Sequence, residues 1–265
     1  MYKLIKRPFF GSYMVKWKNP LTGNEKNDWK QYIVKSKSNA QITGLFANGK
    51  NKIKGTVVLG HPMGKLAKAY FLKSDYPDIL RENGYNVFVF DFNGFGESTT
   101  GSFSFFYDII AVGNKVKEIA PNLPIGYHGI SFGAMWAIIA FTENNHPYKF
   151  AIIESAPTTL EEFWIKYPFV YKVLKSLYLI LPKYKKKINM VERFNEIKNL
   201  KSMLLIYSKT DDITPVSMAE RFIKKSMIPI ELYVVYNAKH ANIIRSSHKK
   251  EYLDKIINYF NNQLK

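Results

Sequence analysis

The 265-residue chain contains no cysteine. This absence excludes a disulfide framework, a cysteine nucleophile and a thiolate zinc site. Acidic residues are also few: the chain has 21 Asp and Glu and 39 Lys and Arg, which gives a formal net charge of +18. That excess makes a nucleic acid, an anionic membrane surface or an acidic substrate worth considering as a partner.

Long uninterrupted apolar stretches are absent as well. The most apolar segment, Trp164–Pro182, is interrupted by lysines, so we predict no membrane-spanning helix. The basic N-terminal residues lead into no apolar stretch of useful length, so we predict no signal peptide and a cytoplasmic location. Basic residues are spread without a helix-turn-helix, zinc-finger or RNP-type pattern, and no specific nucleic-acid binding is predicted. Weak association with membrane surfaces stays open as an alternative.

Apolar runs alternate with helical patterns from residue 55 onward. Repeated strand–helix units predict a mostly parallel central sheet with helices on both faces, that is, the α/β class. The patterns predict one helix over about 66–83 and short strands at Tyr13–Trp17, Tyr32–Lys35 and Gln41–Ala47. The six runs that read as the later strands are 56–60, 85–90, 124–128, 150–153, 203–207 and 230–235.

The sequence Gly129-Ile-Ser-Phe-Gly133 lies between one of these strands and a predicted helix that begins at Phe132. A nucleophilic serine on a sharp strand-to-helix turn needs flanking glycines, because the backbone crowds there. The N-terminus of the following helix also offers free N–H groups to a developing oxyanion. The position of Ser131 therefore predicts a nucleophile elbow.

An acidic motif and a histidine motif follow two later strands. Ser208-Lys-Thr-Asp-Asp-Ile-Thr-Pro215 comes after strand 203–207, and Ala238-Lys-His-Ala-Asn242 comes after strand 230–235. A serine hydroxyl needs a histidine base and a carboxylate that orients the base. The order Ser131, then Asp211 or Asp212, then His240 supplies these groups, and spacing alone leaves the two aspartates open.

Together these motifs resemble the α/β-hydrolase superfamily over residues 40–265, near the branch of monoacylglycerol lipases and bacterial esterases. Leu59-Gly-His-Pro-Met-Gly64 resembles the His-Gly oxyanion loop of the family, with Pro62 in place of glycine. Asp91–Ser98 resembles its Asp-x-Arg-Gly-x-Gly-x-Ser loop, with Asn93 in place of arginine. The resemblance implies the α/β-hydrolase fold.

The resemblance also implies roles for single residues. Ser131 is the expected nucleophile and His240 the base, and Asp211 is the acid because the family places it four residues before a proline. The backbone amides of Met63 and Phe132 are the expected oxyanion hole. Neither a cofactor nor a metal is implied.

Other polar residues receive lesser roles from their positions. Glu154 follows strand 150–153 and is kept as an alternative acid, whereas His61 and His128 are expected to be structural. We expect His146 and His248 to lie on the surface.

Between residues 155 and 199 the strand–helix alternation stops and only helical patterns appear. A connection of this length predicts a functional insert. By resemblance it is a small helical cap on a core formed by 1–154 and 200–265. Its aromatic and aliphatic side chains favour an apolar acyl substrate.

The predicted activity is that of a serine hydrolase that cleaves a small-molecule carboxylic ester or thioester through an acyl-enzyme. An acyl thioesterase, an acyltransferase and an aminopeptidase would use the same fold and stay as alternatives. A non-catalytic binding protein that retains the fold is a further alternative. The sequence does not indicate an oligomeric state.

Overall fold

The computed structural model describes residues 2–15 and 17–264, apart from the side chain of Asn24. Eight strands form one sheet in the order β1-β2-β4-β3-β5-β6-β7-β8. The first two strand pairs along this order are antiparallel and the other five are parallel. The strands are β1 Trp29–Ser36, β2 Ala40–Ala47, β3 Gly55–Gly60, β4 Tyr85–Phe90, β5 Ile125–Ile130, β6 Phe150–Glu154, β7 Ser202–Ser208 and β8 Ile230–Val235.

The central strands are buried on both faces. Every residue of β3, β4, β5 and β6 is buried, which accounts for their continuous apolar runs. Helices cover the sheet, and the predicted α/β-hydrolase class is confirmed. The helices are α1 Tyr2–Phe10, α2 Ala69–Leu72, α3 Tyr76–Glu82, α4 Phe106–Ile119, α5 Phe132–Phe141, α6 Leu160–Trp164, α7 Pro168–Ile180, α8 Pro182–Lys187, α9 Met190–Arg193, α10 Val216–Lys225 and α11 Lys249–Gln263.

The strand order reverses direction between β3 and β5. The chain passes from β3 to β4 on one side, and all later strands add on the other side. In open α/β sheets, ligands bind outside the carboxyl ends of the strands at such a switch point. The loop that begins at His61 follows β3 and Ser131 follows β5, so both lie at this point.

Two local predictions were wrong. The segment Tyr13–Trp17 forms a turn and irregular chain rather than a strand, and Lys16 within it lies outside the described residues. Its backbone bonds are local, because the amides of Tyr13 and Met14 both donate to the carbonyl of Phe10. The helix predicted over 66–83 is instead two helices, α2 and α3. Pro77 lies in the first turn of α3, where its lack of an N–H breaks no helical hydrogen bond.

The helices α6–α9 lie between β6 and β7, within the insert recognised in the sequence. Helix α1, which the sequence patterns did not reveal, packs against α7. No helix within 2–15 and 17–264 has the length and apolar character needed to cross a bilayer.

Candidate active site

Ser131 occupies a strained turn between β5 and α5. Its backbone has φ 51° and ψ −104°, a left-handed conformation that L-residues rarely adopt. The amide of Ser131 donates to the carbonyl of Glu154 at 2.8 Å, which ties the turn to the end of β6. Such strain persists only where the surroundings hold it.

Both glycines beside the serine are required by space. A Cβ at Gly129 would lie 2.7 Å from the backbone of Gly133, and a Cβ at Gly133 would collide with the carbonyl oxygen of Gly60. These atoms belong to backbone, which cannot move aside as a side chain can, and a Cβ at Gly129 would in addition lie 2.6 Å from the ring of Tyr127. The glycine spacing of the motif is therefore a packing requirement of the turn.

The side chains of Ser131, His240 and Asp211 form a hydrogen-bonded row. Ser131 Oγ lies 2.7 Å from His240 Nε2, and His240 Nδ1 lies 2.8 Å from Asp211 Oδ2. Asp211 is buried, whereas the neighbouring Asp212 is exposed. Of the two aspartates that the sequence left open, the structure brings Asp211 to His240.

Asp211 is held by several donors. The Thr214 hydroxyl donates to Oδ2 at 2.6 Å, and the amides of Ile213 and Thr214 both donate to Oδ1 at 2.9 Å. Burial alone would raise the pKa of Asp211, but the hydrogen bond and charge of His240 and the bonds from Thr214 outweigh it and hold the pKa below its usual value. The carboxylate is thus kept ionised beside the imidazole.

Met63 lies in the same cavity as Ser131 and His240. This cavity of about 310 Å³ is also lined by Phe163 of α6, by Tyr167 just after α6 and by Tyr13 just after α1. The backbone amides of Met63 and Phe132 donate to no acceptor within the described residues, so both are free to bind an oxyanion.

His61 has a structural position at the start of the Met63 loop. Its Nε2 accepts from the amide of Phe92 at 3.2 Å and its Nδ1 lies 2.8 Å from the carbonyl of Pro62. Burial lowers the pKa of His61 to about 4, so the ring is neutral near pH 7. A neutral ring with Nδ1–H satisfies both bonds, as the sequence-based interpretation expected.

Asn93, which stands in place of the family's arginine, connects its loop to two helices. Its backbone amide and Nδ2 donate to Asp108 Oδ2 of α4 at 3.1 and 2.7 Å. Its Oδ1 accepts from the amide of Gly101 at 3.2 Å and from the ammonium of Lys6 on α1. The buried Lys6 thus anchors α1 at the position where the loop lacks its arginine.

A second cavity of about 320 Å³ lies beside the first, under α1 and α7. Phe132, Met135 and Trp136 of α5 form its inner wall, so it adjoins the nucleophile elbow. Its lining is almost entirely apolar. The remaining lining residues include Phe9, Phe10, Leu160, Trp164, Leu174 and Leu177.

The other candidate residues lie apart from this row. Glu154 contacts Tyr252 Oη at 2.5 Å and His128 Nε2 at 3.4 Å, and no contact with His240 is found for it within the described chain. His146 is buried, not on the surface as predicted, because it packs between Phe141 and Tyr148. Burial lowers the pKa of His146 to about 4.

Sequence reasoning missed the groups that support the site. These are the buried lysines Lys6 and Lys68 and the aromatic side chains of α1. Lysine is normally a surface residue, so composition gives no signal for burial. The amphipathic pattern of residues 2–10 was the one available signal for α1.

This fold, with a serine elbow at the switch point of the sheet, defines a serine hydrolase of the α/β-hydrolase superfamily. Within it the chain belongs to the family described as serine aminopeptidase, S33, whose model matches residues 51–195. The matched region contains the Met63 loop, the elbow and most of the insert. It ends before Asp211 and His240.

Individual relatives are distant. The chain is 28% identical over 181 residues to YqkD, an uncharacterized protein of Bacillus subtilis (strain 168). The aligned region covers 63% of this chain and 59% of that protein. The esterase Pf2001 of Pyrococcus furiosus superposes with a TM-score of 0.76 at 19% identity, covering 95% of this chain and 97% of that one. An acylaminoacyl peptidase of Pyrococcus horikoshii has a TM-score of 0.68 at 15% identity, with 89% and 42% covered. These structural likenesses concern the fold.

Proposed function

We propose that this hydrolase cleaves carboxylic esters or thioesters, with Ser131 as nucleophile, His240 as general base and Asp211 as the orienting acid. The observation that carries the proposal is the hydrogen-bonded row from Ser131 Oγ through His240 to Asp211 Oδ2. A serine with this support is an activated nucleophile.

The reaction would proceed in two halves. His240 Nε2 takes the Ser131 hydroxyl proton as Oγ attacks the carbonyl carbon, and the amides of Met63 and Phe132 donate to the oxyanion. His240 then gives that proton to the departing alcohol or thiol, which leaves an acyl group on Oγ. Water, deprotonated by the same imidazole, attacks the acyl carbon, and the acid leaves as Ser131 regains its proton.

Ester cleavage is favoured over aminopeptidase activity by the residues around the serine. An aminopeptidase needs a carboxylate to hold the substrate ammonium, and no Asp or Glu is among the described residues that line the Ser131 cavity. Of the carboxylates on α6, Glu161 pairs with Lys185 at 3.0 Å and Glu162 pairs with Arg221 at 2.7 Å. Both are engaged elsewhere.

The acyl group is proposed to be apolar. Phe163 and Tyr167 line the serine cavity, and Phe132, the residue after Ser131, lines the apolar cavity under α1 and α7. An apolar wall next to the nucleophile favours aliphatic over charged acyl groups. In this proposal the insert 155–199 acts as a cap on the core.

Labelling with a fluorophosphonate probe tests the nucleophile. The wild type should label and Ser131→Ala should not, while both keep the same melting temperature. Ser155→Ala is a matched control, since Ser155 is also buried, also has a positive φ and follows the neighbouring strand β6. Labelling of the Ser131→Ala variant would refute the proposal.

Substrate class is then tested with p-nitrophenyl esters, acyl thioesters and aminoacyl p-nitroanilides. The ester and thioester rates should exceed the anilide rate, and aliphatic acyl groups should be preferred over charged ones. A chain that hydrolyses only aminoacyl anilides would be an aminopeptidase, as its family description has it.

A further inference from the structure

Exposed apolar side chains are concentrated on one face of the molecule. Among the described residues, 8 of the 14 exposed large apolar side chains belong to α1 or to the stretch Ile165–Leu181. Such clustering marks an interaction surface, whereas single exposed apolar residues need no explanation. We call the following six residues the apolar patch: Leu4, Ile5, Phe169, Leu179, Ile180 and Leu181.

The patch is continuous across the two helices. Ile5 of α1 and Leu181 after α7 line the same apolar cavity, although both are exposed. Phe169 and Ile180, eleven residues apart on α7, share a helix face, and both are more than two-thirds exposed. The most exposed member, Leu179, is 85% exposed. Because Ile5 and Leu181 are exposed and also line the cavity under α1 and α7, the patch reaches the mouth of that cavity.

The two segments that carry the patch contain charges of one sign only. Neither residues 1–24 nor residues 165–191 contain an Asp or Glu, although the chain has 21 of them. The stretch 165–191 contains seven lysines. Lys172, Lys175, Lys183 and Lys186 are exposed, and none forms an ion pair with a residue that the structure describes.

Exposed apolar side chains among unpaired lysines fit a particular kind of partner. Apolar groups enter the boundary between headgroups and acyl chains, while lysines extend towards anionic phosphates. A second copy of this chain fits poorly, because a symmetric contact would bring two lysine-rich faces together. We propose that the apolar patch docks this protein on the surface of an anionic phospholipid bilayer.

This docking would present the cavity mouth to the lipid surface, and it does not depend on the reaction that the enzyme performs. Ile5 and Leu181 at the mouth would lie at the depth of the acyl chains. The long lysine side chains would keep their charge at the headgroups while their stems cover apolar surface.

Sedimentation with vesicles tests the proposal on the full chain. Vesicles of phosphatidylcholine alone are compared with vesicles that contain equal amounts of phosphatidylcholine and phosphatidylglycerol. Partitioning should be at least about tenfold stronger on the anionic vesicles and should weaken with added salt. Equal partitioning on the two compositions would overturn the proposal.

Two pairs of matched variants separate the patch from the net charge of the chain. Leu179→Asp with Ile180→Asp should reduce anionic-vesicle binding by about tenfold or more. The control, Met227→Asp with Tyr236→Asp, adds the same charge outside the patch, at residues that are 71% and 69% exposed. It should bind nearly as well as the wild type.

Likewise, Lys183→Glu with Lys186→Glu should weaken binding much more than Lys52→Glu with Lys117→Glu, which are exposed lysines outside the patch. If the control variants weaken binding as much as the patch variants do, the charge of +18 alone attracts the vesicles and the proposal is wrong. Sedimentation velocity tests whether a second copy of the chain, rather than a bilayer, covers the apolar patch. A dimer that becomes monomeric in the Leu179→Asp, Ile180→Asp variant would assign the patch to a second copy and overturn the proposal.

Discussion

Lys68 Nζ lies 2.5 Å from Asp91 Oδ2, and neither side chain is exposed to solvent. The ammonium also lies 2.6 Å from Glu97 Oε2 and 3.7 Å from the centre of the Trp17 ring. The backbone amide of Lys68 donates to Asp91 Oδ1 at 2.9 Å. Lys68 follows the Met63 loop and Asp91 begins the next loop, so the pair holds together two loops at the rim of the site.

Lys68→Met should lower the free energy of unfolding by about 3–5 kcal/mol, because it leaves the Asp91 carboxylate buried without its cation. Urea denaturation measures this loss. Lys65→Met is the control, since Lys65 is exposed on the same loop and its loss should cost no more than about 0.5 kcal/mol. Equal costs for the two variants would mean that the buried pair contributes nothing specific.

Asp211→Asn should reduce kcat by about 10⁴-fold, because an amide favours the wrong tautomer of His240 and cannot stabilise its cation. Melting should change much less than turnover. The neighbouring Asp212 is exposed, so Asp212→Asn should keep nearly the full rate. Steady-state kinetics on an ester substrate measures both variants. The assignment of the acid fails if Asp212→Asn, rather than Asp211→Asn, abolishes turnover.

Gly133→Ala should destabilise the fold by about 1–3 kcal/mol and lower the rate at Ser131, because the new methyl meets the rigid carbonyl of Gly60. Gly64→Ala is the matched control, since a Cβ there has no atom within 4 Å. Thermal melts and single-turnover acylation measure the two effects. Wild-type behaviour of Gly133→Ala would show that the elbow can relax.

Lys6 makes stability depend on pH in the alkaline range. Burial lowers the pKa of Lys6 from 10.5 to about 7, although the charge of Asp108 opposes the shift. Between these values the unfolded chain binds a proton that the folded chain does not, so the free energy of unfolding rises with pH. Relative to Lys6→Met, the wild type should therefore lose stability as the pH falls from about 10 to about 7.

Urea titrations at several pH values check this difference. Burial also raises the pKa of Asp108. There the folded chain binds the extra proton, so Asp108 makes the free energy of unfolding fall with rising pH, opposite to Lys6. Lys3→Met on the same helix is the control, because it removes a lysine that is exposed rather than buried. A constant difference between wild type and Lys6→Met would show that Lys6 keeps its ordinary pKa in the fold.

The elements around the serine could be predicted because their signals are local. Strands β4 and β8 match the expected ranges 85–90 and 230–235 residue for residue, since the apolar and aromatic residues that favour a strand lie within the strand itself. The sequence around Ser131 was informative for the same reason. Its glycines are required partly by crowding within the turn, where a Cβ at Gly129 would meet Gly133, and partly by the distant backbone of Gly60 and His61.

What could not be predicted depends on contacts between distant parts of the chain. Lys68 and Asp91 are 23 residues apart, and Lys6 and Asn93 are 87 apart. Each is a common surface residue when considered alone. The segment Tyr13–Trp17 has the alternation of a strand, but the amides of Tyr13, Met14 and Val15 bond locally, and one edge of the sheet lies at β1. His146 was misplaced because its burial comes from Phe141 and Tyr148 folding around it.

The aromatic contacts of Phe10 have a consequence during synthesis. Its ring lies 5.6 Å from that of Phe132 and 6.0 Å from that of Trp164, the latter 154 residues further along the chain. A ribosome adds about 5–20 residues per second, so Phe10 waits roughly 8 to 30 seconds before Trp164 has been made. Throughout that interval α1 lacks the part of its docking surface that the insert provides. The nascent chain therefore presents a basic and aromatic segment that is only partly covered to chaperones until the insert emerges.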